Sequence, residues 1–463
     1  MTMWVPDLAR HDGPRYQALA DAIAEAIACG ELKPGQRLPP RRELAHRLAI
    51  SVNTVSSAYV EAERRGIVVG EVGRGTFVRM ARGGNETSFF MEGRPRDLID
   101  LSICRPCQLD DYVRSLRAAL AELAEEGDQS ALMACRPIIG LETHRLAAVR
   151  WLSGLGVEVT ADRVVLTNGV AHGLLVALSG LVEPGGVVAT EELTDHGLIS
   201  LSSILHFRLI GLPTDEGGIL PDAFQAACRG GDIRVLVATP TLTNPTCALM
   251  PTERRRRIAA IARQHGVAVV EDDVFGPLVE DRPPPLVSFL PDSGYYLTSF
   301  TKCAVSGLRT GYLVAPERDT QRMVARVRTT SWMATPLVAE IVSRWILDGR
   351  MDQVVARQRQ ELAARQRLAE AALAGYHHLS HPTGNNVWLH LPPPWRGDNF
   401  VAQARSRGVA ISPAEPFVVG RSAGPHAVRL SVGAATTRSE LAEGLNRIRT
   451  LLAHHPEPAL LQF

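Results

Sequence analysis

Excess charge is what this chain most lacks. Across 463 residues, 50 lysines and arginines face 49 aspartates and glutamates, a formal net charge of +1. No general attraction for polyanions follows, so any nucleic-acid contact must come from a local patch. Cysteine is scarce as well. There are seven, an odd number in a long chain, with one C-x-x-C at Cys104–Cys107 and no second pair at zinc spacing. That excludes a disulfide framework, suits a reducing cytoplasm, and leaves the motif as chance spacing. No apolar run is long enough to span a bilayer, and no signal peptide is expected at the start. What remains, 45% hydrophobic and 21% charged, is a globular composition in a chain too long for one core.

The first eighty residues read as a DNA-binding unit. Leu19, Ile23, Ala26 and Ile27 form a helical stripe within 15–29, and Gly30 and Pro34-Gly35 close it. A short helix follows over 41–48. Ser51 reads as the N-cap of a helix reaching about Arg65, and Gly66 stops it. Residues 67–69 and 76–78 are β-rich and joined through glycines, a two-stranded wing. The order predicts a winged helix–turn–helix over 1–80 whose third helix enters the major groove. Eleven basic residues against nine acidic ones here prove nothing by number. Their positions carry more: Arg37, Arg41, Arg42 and Arg47 cluster at the second helix, and Arg74 marks the wing tip.

Gly35-Gln36-Arg37-Leu38-Pro39, Arg42-Glu43-Leu44-Ala45, Val52-Asn53-Thr54-Val55 and Gly73-Arg74-Gly75-Thr76-Phe77-Val78 resemble the GntR family of bacterial regulators. The resemblance implies that Arg42, Ser51, Asn53, Thr54 and Gly75 face DNA, with Arg74 at the wing. One residue departs: Val52 stands where the family often has a guanine-reading arginine, so a thymine methyl contact is expected there. Periodicity vanishes over 81–97, which reads as a linker in which Phe89, Phe90 and Met91 could dock on a neighbour.

From about Leu98 to the end, short β-rich runs (164–166, 187–189, 235–238, 267–270) alternate with helical stretches such as 253–264. That predicts an α/β body with a mainly parallel sheet, its larger part at about 140–345 and a smaller part from the flanking segments. Ligands in such a body bind beyond the carboxyl ends of the strands. Polar residues gather there. Thr167-Asn168-Gly169-Val170-Ala171 opens a helix whose amides would cradle phosphate. Asn244 could donate to a phenolate oxygen, Asp272 could hold a ring nitrogen protonated, and Arg429 could grip a carboxylate with two N–H groups. Ser299-Phe300-Thr301-Lys302 and Gly307-Leu308-Arg309-Thr310-Gly311 place a lysine between hydroxyls with an arginine seven residues on. The set suits pyridoxal 5'-phosphate, with Lys302 forming the imine and Ser299, Thr301 and Arg309 holding the phosphate.

Residues 98–463 resemble fold-type I pyridoxal-phosphate aminotransferases, and a GntR head on that body is similar to the MocR/GabR subfamily of regulators. The resemblance implies that Lys302 is the Schiff-base lysine, Asp272 pairs with the pyridine nitrogen and Asn244 with the ring hydroxyl. It assigns the phosphate to Ser299, Thr301, Arg309 and the amides of Val170 and Ala171, and the ligand carboxylate to Arg429. It also implies a homodimer. Three positions depart: Phe275 replaces an aromatic hydroxyl near the cofactor, Asp195 with His196 replaces a ring-stacking tyrosine, and Cys135 replaces a further tyrosine. A pocket trimmed in this way fits capture of an amine better than turnover.

The expected function is a cytoplasmic, DNA-binding transcription regulator that senses an amino compound by imine exchange at Lys302 and controls genes for amino-acid or compatible-solute catabolism. Asp195 opposite Arg429 points to a diamino acid or its acylated derivative, unless it only caps a helix near Gly197. The 195–198 stretch is similar in general character to regulators of ectoine or taurine catabolism. The alternatives are an active aminotransferase carrying a DNA-binding head and a protein with a vestigial pocket.

Overall fold

The computed structural model describes the chain except residues 1–3, 9–10, 12, 29–30, 34–35, 65–66, 72–74, 79–97, 126–129, 421–423 and 455–463. The wing tip with Arg74, the expected linker and Phe89–Met91 therefore lie outside the described residues. Two compact units emerge, Met1–Pro95 and Arg96–Phe463.

In the first unit, α1 (Arg15–Ala28), α2 (Arg41–Arg47) and α3 (Val52–Arg64) precede a hairpin of β1 (Val68–Glu71) and β2 (Gly75–Val78). Leu19, Ile23, Leu44, Val55, Tyr59, Val68 and Val78 share one small core. The buried Tyr59 hydroxyl donates to the Pro39 carbonyl at 2.8 Å, which fixes α3 against the entry to α2. Residues 36–38 extend the wing, since Leu38 N–H donates to Thr76 O and Val78 N–H donates to Gln36 O, both at 2.8 Å. The winged helix–turn–helix read from the sequence is there.

The second unit is built on a seven-stranded sheet. Its strands are β3 (Val164–Thr167), β4 (Val187–Glu191), β5 (Arg208–Leu212), β6 (Ile233–Ala238), β7 (Ala268–Asp272), β8 (Gly294–Ser299) and β9 (Gly311–Val314), in spatial order β3-β9-β8-β7-β6-β4-β5. Only β9 runs against its neighbours. Most strand positions are buried on both faces, which explains the continuous apolar runs. Three strands escaped the sequence reading, β5 among them, where Arg208 and Gly211 interrupt the apolar residues. Gly294-Tyr-Tyr-Leu-Thr-Ser lacks an apolar run, and β9 follows its partner through a loop with no helical crossover. Helix α4 (Val170–Leu181) follows β3, α5 (His196–Ile204) follows β4, and α6 (Thr252–His265) precedes β7. A smaller antiparallel sheet of β10 (His378–Ser380), β11 (Asn386–His390), β12 (Ser412–Pro413) and β13 (Ala427–Ser431) stands in the order β10-β11-β13-β12. Among the described residues, no helix is long and apolar enough to cross a membrane.

The antiparallel β9 matters because it makes a loop. Ser299 at the end of β8 pairs with Gly311 at the start of β9, and Gly311 pairs with Thr167 at the end of β3. Residues 300–310 therefore loop over the carboxyl edge of the sheet, carrying Lys302 and Arg309. The start of α4 is three residues beyond Thr167.

Candidate cofactor and ligand site

Two clusters of polar groups lie at this edge. The first has the makings of an anion cup. The Ser299 and Thr301 hydroxyls are buried and 2.9 Å apart. Gly169, the N-cap of α4, has φ +81°, which only glycine adopts without strain. A side chain there would stand 3.4 Å from the Arg309 guanidinium, so that cation lies over the start of the helix. The amides of Val170 and Ala171 belong to the first turn of α4, whose dipole also favours an anion. Gly311 completes the cup by its bareness. A β-carbon there would meet Thr167 Oγ1 at 2.8 Å and the Gly169 backbone at 2.9 Å. Gly311→Ala is expected to cost about 1–3 kcal/mol by overpacking and to disturb the Gly169 turn. Urea unfolding of the two proteins measures this, and an unchanged midpoint would contradict the packing argument.

The second cluster is a chain of side chains. Asn244 Nδ2 donates to Asp195 Oδ2 at 2.8 Å, and Arg429 Nη1 donates to Asn244 Oδ1 at 2.8 Å. Arg429 is buried, and its guanidinium lies over the Phe417 ring, 4.8 Å from its centroid. Its Nη2 is committed on both sides, to the Ser102 carbonyl at 2.5 Å and Ser412 Oγ at 3.2 Å. Its buried Nε has no hydrogen-bond partner among the described residues. Lys302 Nζ donates to the Cys104 carbonyl at 2.6 Å, and Asn385 Nδ2 holds the Lys302 carbonyl at 3.0 Å.

The electrostatics join these groups. Burial pushes the Asp272 carboxyl up to about 7, with Asp195 adding to the rise and Lys302 opposing it. Such a carboxylate is costly to ionise alone and cheap beside a cation, which suits a partner that carries a proton on a ring nitrogen. Burial would also raise Asp195. The charges of His196, Lys302 and Arg429 and the Gly197 N–H outweigh it and hold Asp195 below the usual carboxylate range. The capping reading of Asp195 holds. Its Oδ1 caps α5 by accepting from Gly197 N at 2.8 Å, while its Oδ2 takes Asn244. His196, half-buried, stands beside it with Nδ1 3.9 Å from Asp195 Oδ2.

On the other unit, Arg42, Ser51, Val52 and Asn53 are exposed and Thr54 is half-buried. Ser51 Oγ caps α3 by accepting from Thr54 N at 3.0 Å and shares a hydrogen bond with Thr54 Oγ1 at 2.8 Å. Gly75, half-buried, opens β2.

Comparison with known proteins now says what these units are. Residues 15–78 match the profile of bacterial regulatory proteins of the gntR family, and residues 96–448 match that of aminotransferase class I and II. An uncharacterised HTH-type transcriptional regulator of Bacillus subtilis, YdeF, is 30% identical over 450 residues, which cover 97% of this chain and 96% of YdeF. The chain is a GntR-type regulator of the MocR/GabR subfamily. The HTH-type transcriptional regulator TauR of Rhodobacter capsulatus is 25% identical over 88% of this chain and 90% of its own. Among solved structures, LysN, the alpha-aminoadipate aminotransferase of Thermus thermophilus complexed with N-(5'-phosphopyridoxyl)-L-leucine, superposes with a TM-score of 0.69. It is 24% identical and covers 77% of this chain and 92% of LysN. The likeness fixes the fold of the body, one typically dependent on pyridoxal phosphate.

Several residues of this regulator's site gave no sequence signal. Ser102 and Cys104 act through main-chain carbonyls, and Ser412 and Phe417 come from a separate stretch of chain. Glu191, buried and raised by that burial, accepts from Thr239 N at 2.9 Å and so ties the ends of β4 and β6 together. Phe275 is buried in the main core, and among the described residues no polar bond joins it to the site. Cys135 is exposed, and its carbonyl accepts from the Trp332 indole at 2.8 Å.

Proposed function

We propose that this regulator holds pyridoxal 5'-phosphate in its body and senses a small amino compound there, changing its hold on an operator bound by its GntR head. The residues fit the cofactor: Ser299, Thr301, Arg309 and the start of α4 for its phosphate, Asp272 for its ring nitrogen, Asn244 for its ring hydroxyl and Lys302 for its aldehyde. When bound, the cofactor supplies an aldehyde carbon that bonds reversibly to a primary amine. Arg429 and Asn244 orient the acid end of such an amine, and Asp195 receives a second positive group. A bound amine then biases a two-state equilibrium of body and head. We infer a homodimer in the cytoplasm, where its DNA lies. Exposed Met133, Trp332 and Leu337 on the body support an apolar contact with a second copy.

The observation that carries sensing over turnover is the whereabouts of tyrosine. The chain has seven. Tyr16 and Tyr59 belong to the head; Tyr112, Tyr295 and Tyr296 donate to Val354 O, Asp319 and Asp273; Tyr376 packs against the main core; the buried Tyr312 hydroxyl has no partner among the described residues. None of the seven hydroxyls bonds Lys302, Asp195, Asn244, Asp272 or Arg429 among the described residues. A turnover assay with amino-acid donors and keto-acid acceptors tests the reading. Keto acid accumulating over many cycles would establish the aminotransferase alternative instead.

The ligand class has its own test. Asp195→Asn keeps the cap on α5 with its one remaining oxygen and removes the charge together with the acceptor for Asn244 Nδ2. The variant should lose about 10- to 100-fold in its response to L-lysine or L-ornithine, the range of a lost charge-assisted bond, while its response to L-alanine is retained. Equal losses for both classes in calorimetry would rule out the pairing.

A further inference from the structure

The first turn of α3 has a composition that constrains which bases it reads. Burial of Val55, Ala58, Tyr59 and Ala62 fixes the rotation of the helix, so Asn53, Ser57 and Val60 face outward. Val52 stands at the exposed N-terminal end, with 42% of its surface accessible. The Ser51 and Thr54 hydroxyls are taken up with each other and with the Thr54 amide. Two side chains in this turn therefore remain to meet base edges, Val52 and Asn53. Neither is cationic.

The major groove turns that into sequence. A guanine offers O6 and N7, which take a forked donor such as arginine; this turn has none. An adenine offers the N7 acceptor and N6 donor, which an asparagine amide satisfies with Nδ2–H and Oδ1 together. A thymine offers a methyl group, for which a valine is the natural partner. We propose that the first turn of α3 reads an A·T-containing step in each half-site, with Asn53 on an adenine edge and Val52 on the methyl of a neighbouring thymine. Exposed Arg41, Arg42 and Arg47 on α2 bind phosphates and hold the helix in register. The assignment depends only on the head and stands whatever the body binds.

The test removes single atoms from DNA. Full-length protein selects duplexes from a random pool, and the consensus duplex is then remade with one base analogue at a time. Deoxyuridine deletes only the thymine methyl, and 7-deazaadenine deletes only N7. Wild-type affinity should fall about fourfold at one deoxyuridine position per half-site, the ratio for one buried methyl, and about fivefold at one 7-deazaadenine position. Val52→Ala should be indifferent to that deoxyuridine yet still sensitive to the 7-deazaadenine, and Asn53→Ala should show the reverse. The wild-type analogue scan decides the matter even if a variant folds poorly. Indifference to every deoxyuridine and 7-deazaadenine overturns the proposal, as does an invariant G·C pair at the position protected by the first turn. Transfer of the methyl sensitivity from Val52 to Val60, the exposed valine two turns on, overturns it as well.

Discussion

Lys302→Ala should yield a colourless protein that keeps its operator and loses its entire response to amines. The expectation follows from the separation of tasks. Arg309, Ser299, Thr301 and the start of α4 form the anion cup, so phosphate can still be held weakly without the lysine. Lys302 carries its amine on the 300–310 loop, with Nζ held at the Cys104 carbonyl, while Asn385 fixes its main chain. With an alanine there, visible absorbance from a covalently attached cofactor should be absent, and operator affinity should no longer change when amines are added. Gel retardation with and without ligand, beside the absorbance spectrum, measures both. An amine response as large as wild type would sink the role given to Lys302. A colourless wild-type protein would instead remove the cofactor reading altogether.

The second large effect is on folding, and it lies one residue beyond Asp272. Asp273 follows the last residue of β7, is fully buried, and accepts from both Arg282 and the Tyr296 hydroxyl. Arg282 is itself almost buried and also donates to the Leu155 carbonyl. Burial alone would make its charge costly, but Asp273 and Tyr296 reverse that and hold it firmly protonated. Asp273→Ala strands this guanidinium and leaves the Tyr296 hydroxyl short of an acceptor. Removing one member of a buried ion pair costs about 3–5 kcal/mol. That is a large part of the 5–15 kcal/mol typical of a whole domain, so the soluble yield should fall as well. Urea unfolding, followed through the body's transition, gives the number. A loss below about 1 kcal/mol would mean that water or relaxation compensates Arg282, contrary to the packing around it.

Much of this architecture was legible because it repeats simple rules. Short β-rich runs separated by helical patterns gave the parallel sheet, and a glycine-studded hairpin after a capped helix gave the wing. The candidate residues Lys302, Asp272, Asn244 and Arg429 stood out because chemistry-bearing side chains followed strand-like runs or lay within one. The boundaries shifted in one informative way: β7 continues through Asp272, so that carboxylate is the last residue of a strand held on both sides. What could not be read is what has no side-chain signature. The carbonyls of Ser102 and Cys104 reach Arg429 and Lys302 from about two to three hundred residues away in sequence. Asp195 shows the same limit from another side. Sequence left it as either a helix cap or a ligand group, and two oxygens on one carboxylate let it cap the helix while also accepting from Asn244.

Arg429 meets any incoming acid already engaged. Its Nη2 is shared between a main-chain carbonyl and a serine hydroxyl, and its Nη1 holds Asn244. A carboxylate that takes this guanidinium by its two outer nitrogens displaces a partner rather than filling an idle donor. Its binding free energy is then a difference between two similar bonds, and each departure is helped by the bond that re-forms. Such a grip would exchange ligands quickly and release them as their concentration falls. In the sensing role proposed above, that readiness to let go would count for as much as the ability to hold.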